Sequence, residues 1–192
     1  MHETGYTILE LTAVTAVVML LAALGIPSLR AYSEEAHLLG AGRMFKSDFL
    51  YARSLAVTAG VQTAIRFEKT AEGTFYSVYR DGNFNGVLAA DIRSGRDRRV
   101  LGPQRLDSRA AGVRVGINPG VPAPPPDRGI LDPSDPIRFG SSNMLSFSPV
   151  GTATPGTFYL AGAFAQAAVR VTGGSARVRL MICRNKGAWV ER

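Results

Sequence analysis

Between Leu11 and Leu29 the chain reads LTAVTAVVMLLAALGIPSL, without one charged side chain. Its polar members are Thr12, Thr15 and Ser28, and a Thr hydroxyl can bond back to its own helix in apolar surroundings. A helix from Tyr6 to Leu29 spans roughly 36 Å at about 1.5 Å per residue, enough for a bilayer core. The alternatives are a buried core helix and a cleaved secretory signal. A cleaved signal needs a small-x-small site after the apolar run. Ala23-Leu24-Gly25 fits that poorly, because Pro27 and an amphipathic segment follow directly. The sequence therefore predicts a retained, membrane-spanning helix.

Glu10 is the costly residue at the edge of this span, since an acid moved toward a bilayer centre must find a partner. It sits in Gly5-Tyr6-Thr7-Ile8-Leu9-Glu10-Leu11, which resembles the prepilin processing motif of type IV pilins. The resemblance implies cleavage between Gly5 and Tyr6 by prepilin peptidase, with methylation of the new amino terminus. It places Glu10 at the fifth mature position, where it would pair with the terminal amine of a neighbouring subunit during assembly. Pro27 falls where such pilins carry a proline in the first helix. The leader Met1–Gly5 holds no Lys or Arg, whereas prepilin leaders are usually basic.

Past Pro27 the pattern changes. Leu38, Ala41, Phe45, Phe49, Ala52, Leu55, Ala56 and Ala59 recur at three- and four-residue spacing and give one apolar stripe on an amphipathic helix. Gly60 is a candidate C-cap, and Gly40 and Gly42 are the weak points. Alternation follows. Val61–Lys69 and Thr74–Tyr79 read as a hairpin joined through Ala71-Glu72-Gly73. Further strands are expected at Gly112–Asn118, Ile137–Phe139, Met144–Ser148, Thr157–Ala161, Ala167–Thr172 and Ala176–Ile182. The Pro-dense stretch 119–136 is expected to be an exposed loop.

This order predicts an α+β chain: a long N-terminal helix, transmembrane in one half and amphipathic in the other, packed on a small antiparallel β-sheet head. The segments are a leader at 1–5, an assembly helix at 6–27 and a head at 28–192 that includes the amphipathic half. Arg53-Ser54-Leu55-Ala56, Leu145-Ser146-Phe147-Ser148-Pro149-Val150-Gly151, Gly156-Thr157-Phe158-Tyr159-Leu160 and the closing Arg-Val-Arg strand follow the order of the GspH/FimT family of minor pilins and pseudopilins, which the chain resembles. That resemblance implies a pilin-like fold and a single pass through the inner membrane with the head in the periplasm. It also implies partnership with other pilin or pseudopilin subunits, in a type IV pilus or a type II secretion pseudopilus.

Two constellations are candidates for binding. The first is the final hairpin. With Gly173-Gly174 as a two-residue turn, Arg170 faces Arg177, and Arg179 shares their face. Like charges opposite one another are destabilising unless an anion meets them. Arg184, Lys186 and Arg192 extend the patch, so that residues 165–192 hold six positive charges against one negative, Glu191. FimT-like members bind DNA during natural transformation through a basic Gly-Arg-x-Arg-type motif. Ala176-Arg177-Val178-Arg179 keeps both arginines and has Ala for the Gly. The resemblance therefore carries DNA as a partner, and a solvated outer strand face is the alternative. Trp189 could stack on a base or simply pack.

The second constellation is Asp81-Gly82-Asn83-Phe84-Asn85-Gly86 with Asp91, which matches the start of a calcium loop but has Ile92 where the closing acid belongs. The alternative is a polar turn in which Asp and Asn bond their own backbone. Arg93, Arg96, Arg98 and Arg99 oppose a cation there and form a second basic patch. Overall, 22 Lys+Arg stand against 15 Asp+Glu, with Lys46, Lys69 and Lys186 the only lysines. A single cysteine, Cys183, excludes an intrachain disulfide, and with only His2 and His37 beside it a zinc site of ordinary spacing is excluded too. His37 is remote from any candidate nucleophile, and the chain is not expected to be an enzyme.

Overall fold

The computed structural model describes residues 7–106 and 112–192, with backbone alone at positions 24, 27 and 28. The leader 1–5 and the processing pair Gly5 and Tyr6 lie outside the described residues. One helix dominates the chain: α1, Ile8–Ala59, 52 residues and about 78 Å long at 1.5 Å per residue. Thr7 caps it in extended backbone and Gly60 ends it in the left-handed region at φ 67°. The helix runs unbroken through Pro27.

Among the described residues ten strands and one short helix follow. They are β1 (Thr63–Thr70), β2 (Gly73–Arg80), α2 (Ala89–Ser94), β3 (Arg98–Arg105), β4 (Arg114–Val115), β5 (Ile137–Phe139), β6 (Met144–Phe147), β7 (Gly156–Ala161), β8 (Ala165–Val171), β9 (Val178–Arg184) and β10 (Trp189–Glu191). All strand pairs are antiparallel. They form a sheet of order β3-β2-β1-β6 and a second of order β10-β9-β8-β7-β4, in which β5 also pairs with β7. The chain is thus α+β, with a long N-terminal helix and antiparallel sheets.

The stripe on α1 explains how the two sheets share one core. Leu38, Ala41, Phe45, Phe49, Ala52 and Ala56 are buried, with Leu55 packed at their edge, while Ala59 lies beyond the sheets and is exposed. Phe45 and Phe49 reach Phe158 of β7 at ring distances of 4.8 and 6.1 Å, and Phe67 of β1 stacks on Phe158 at 5.6 Å and on Phe139 of β5 at 5.8 Å. Each such ring contributes about 1.5–3 kcal/mol by leaving water, and together they join helix, first sheet and second sheet. Gly42 permits the close approach: a Cβ there would lie 2.5 Å from Leu180 Cδ1 of β9.

Among the described residues nothing packs on the other half of α1. From Ile8 to Leu29 every described apolar side chain is exposed. Among the described residues no helix is long and apolar enough to cross a membrane, the unbroken run of described side chains at this end being Thr7–Ala23.

Several elements depart from the expectations: α2 falls where no element was expected, and of the strand expected at Gly112–Asn118 only Arg114–Val115 pairs, as β4. β3 runs through Gly102-Pro103, with shifted register against β2, because an edge strand tolerates a proline and a bulge. β10 adds an edge to β9. The stretch 119–136 is no simple exposed loop: Val121 and Leu131 are buried against Ile117, Tyr159, Ala168, Met181 and Cys183. It forms a strap, closed by the Pro122–Ile130 bridge, over the apolar outer face of the second sheet, with its tip in solvent. That face needs a cover, and Val121 and Leu131 supply it.

Candidate functional site

The C-terminal arginines sit on a register two residues away from the one expected. Arg170 pairs with Arg179 and Val171 with Val178, so the connection is the longer 172–177 segment and not a Gly-Gly turn. Thr172 N donates to Arg177 O at 3.0 Å, and Ala176 turns the chain in the left-handed region at φ 46°. Because the shift is even, the faces are unchanged. Arg170, Arg177 and Arg179 remain on the strap side, and Val169, Val171, Val178 and Leu180 face the core.

Each of these arginines meets a carboxylate of its own chain. Arg170 donates to both oxygens of Asp127 at 2.9 and 3.3 Å and to Pro124 O at 3.2 Å, which holds the tip of the strap. Arg177 and Arg179 reach the two oxygens of Glu191 on β10 at 3.0 and 3.8 Å. Arg179 Nε is buried with no partner among the described residues. Arg184 does not extend this patch. It lies on the opposite face, where Nε donates to Glu35 of α1 at 2.6 Å and Nη2 engages the second oxygen. This fork, aided by Arg192, holds the Glu35 carboxyl below the usual carboxylate range and raises the Arg184 guanidinium in turn. Lys186 is exposed in the β9–β10 turn beside Gly120. Trp189 packs: its Nε1 donates to Pro122 O at 2.8 Å and its ring stands 6.4 Å from Tyr159. Cys183 is buried beneath the strap, its thiol donating to Gly187 O at 3.2 Å, and burial pushes that thiol up.

The acidic loop folds around its own backbone. Asp81 is buried and accepts from Asn83 N (3.0 Å), Phe84 N (2.8 Å) and Gly86 N (2.8 Å). Asp97, also buried, accepts from Gly82 N and Leu88 N at 3.2 and 2.9 Å. Asp91 at the start of α2 accepts from the amides of Asn85 (3.0 Å) and Asn83 (3.3 Å) and from Arg96 (3.3 Å). The Asn85 bond is the main cause that holds the Asp91 carboxyl below its ordinary value. The four residues expected to hold calcium therefore do converge, with N–H groups aimed at the carboxylates. Among the described residues no group of three or more His, Cys, Asp and Glu side chains is placed to hold a metal ion.

No known protein family, curated protein or solved structure matches this chain. Function must be argued from the residues.

Glu10 occupies a capping box. Its carboxylate accepts from Thr7 N at 3.0 Å and from the Thr7 hydroxyl at 3.2 Å, while Glu10 N donates back to Thr7 Oγ1 at 3.2 Å. Thr12 and Thr15 return their hydroxyls to the carbonyls of Leu9, Leu11 and Thr12 at 2.9–3.0 Å, so both threonine hydroxyls of this exposed apolar half are satisfied within the helix. The partners of the arginines, Glu35, Asp127 and Glu191, were not legible as such. Asp127 is 43 residues and Glu35 149 residues from its arginine, and no local spacing announces either pair.

Proposed function

We propose that this chain is an assembly subunit of the minor pilin or pseudopilin kind. In this reading it is processed by prepilin peptidase at Gly5–Tyr6, anchored in the inner membrane by residues 6–27 and built into a type IV pilus or type II secretion pseudopilus with its head in the periplasm. The observation that carries it is the division of α1. The half from Leu38 onward buries its apolar stripe in the head, while the described side chains of the uncharged run Leu11–Leu29 project an apolar surface that none of the described residues covers. An apolar surface of that length is stable only in lipid or against other helices.

Glu10 then has two successive roles. Within the single chain it caps α1 through Thr7; in the filament it pairs with the amine of a neighbouring Tyr6. The substitutions Glu10→Gln and Glu10→Ala separate these roles, because Gln keeps a capping box and loses the charge. Filament incorporation of membrane-inserted protein, read by shearing and immunoblot, should fall in both variants. Normal incorporation of Glu10→Gln would remove the ion pair, and mass spectrometry that finds any first residue other than Tyr6 would remove the processing step. DNA binding through Arg170, Arg177, Arg179, Arg184 and Lys186 is the weaker reading, since the four arginines each engage a carboxylate of the chain.

A further inference from the structure

A second basic surface lies at the far end of α1, and its arginines are placed differently. Arg80 of β2 and Arg98 of β3 are direct cross-strand partners and both are exposed. With Arg96, Phe84 and the last turn of α1 at Ala59 they line an open groove of about 500 Å³. Arg96 touches Asp91 at 3.3 Å, but Arg80 and Arg98 have no ion pair or side-chain hydrogen bond among the described residues. Two like charges directly opposite on adjacent strands repel, and the nearby acids do not relieve them. Asp81 and Asp97 are buried and spend their oxygens on backbone N–H groups.

Phe84 is the second observation. Its side chain is 83% exposed and its backbone is left-handed at φ 61°, a conformation unusual for a bulky residue and a pointer to function when the surroundings enforce it. Here they do: Asp81 pins the N–H groups on both sides of the ring, and Gly82 packs so closely on Arg96 O that a Cβ would lie 2.0 Å from it. The loop is a rigid mount for an aromatic ring at the edge of three guanidinium groups.

We propose that this groove binds single-stranded nucleic acid, with Arg80, Arg96 and Arg98 on successive phosphates and the Phe84 ring stacked on a base. Guanidinium forks suit phosphate oxygens, and a basic groove beside an exposed aromatic is the arrangement that holds a single strand without regard to sequence. A lipid phosphate is the other source of this chemistry. The groove opens beside Ala59, the last residue of the helix whose opposite end carries the exposed apolar run Ile8–Leu29. Roughly 45 Å of helix between Leu29 and Ala59, at about 1.5 Å per residue, keeps it from any bilayer that takes up that run, so the strand is the occupant the geometry favours. The inference stands apart from the assembly role and would survive its failure.

The test is fluorescence anisotropy of a labelled oligothymidylate against the full chain in a non-ionic detergent. Binding should weaken with salt at a logarithmic slope near −2, as about three neutralised phosphates give for a single strand. Arg80→Ala/Arg98→Ala should lower affinity at least tenfold and flatten that slope. Phe84→Ala should weaken binding about fivefold or more, the factor that ~1 kcal/mol of lost stacking carries. Arg177→Ala/Arg179→Ala should change neither. No binding at low salt, or binding indifferent to Arg80 and Arg98, would overturn the site. Equal competition by inorganic polyphosphate together with an unaffected Phe84→Ala would overturn the base contact, and stronger competition by phosphatidylglycerol vesicles than by oligonucleotide would assign the groove to lipid instead.

Discussion

Asp81 shows how one side chain can specify a loop. Its two oxygens, themselves buried, take three backbone N–H groups of a half-buried loop, and charge-assisted bonds of this kind are worth about 1.5–3 kcal/mol each. Asp81→Ala should therefore cost about 3 kcal/mol or more of unfolding free energy, measured by urea denaturation, and should release Phe84 from its left-handed backbone. A loss below about 1 kcal/mol would mean that water replaces the carboxylate without strain. The sequence made the same residue a candidate cation ligand. Alternating Asp and Asn serve both purposes, and which one wins depends on whether oxygens or N–H groups point inward, a matter of backbone conformation that spacing alone does not encode.

At the level of elements, legibility followed periodicity. The stripe on α1 and the strands β1, β2, β5, β6, β7, β8 and β9 could be read, with ends displaced by one or two residues in places, because each presents an apolar face at the period of its backbone. β3 could not: Arg98–Arg105 contains three arginines and a Gly-Pro, and its pairing is held by one side of β2 alone. The β8–β9 register was misread because Gly173-Gly174 invites a tight turn, whereas the chain turns at Ala176, and the faces survived only because the slip was even. Gly42 was legible as a weakness in the helix and not as its contact point. Gly42→Ala gains about 1 kcal/mol of helix propensity and loses about 1–3 kcal/mol to overpacking against Leu180, which is buried and has little room to move. The net expectation is a slight destabilisation, with Gly42→Val clearly worse, both read as thermal midpoints of the folded chain. A stabilised Gly42→Val would show that α1 and β9 sit farther apart than the geometry requires.

For the whole molecule the question is what keeps α1 seated on the head, since half of the helix is pulled elsewhere by its apolar surface. The aromatic core does most of this, but it ends at Leu38. Arg184 and Glu35 extend the hold by a further turn toward the N-terminus, 149 residues apart in sequence. The Glu35 carboxyl is held below its ordinary value by the Arg184 hydrogen bonds, so its contribution is present above the unfolded-state value and is lost as pH falls through the lower folded-state value. The thermal midpoint of Arg184→Ala should accordingly lie below that of the unsubstituted chain at neutral pH. The gap should stay constant down to the ordinary carboxylate range and close in stronger acid, where Glu35 takes up its proton and the fork loses its charge. Glu35→Gln should show a reduced midpoint at neutral pH and no further closing in acid. A gap independent of pH would mean that Arg184 acts by packing its aliphatic stem, and that α1 is held on the head by the core alone.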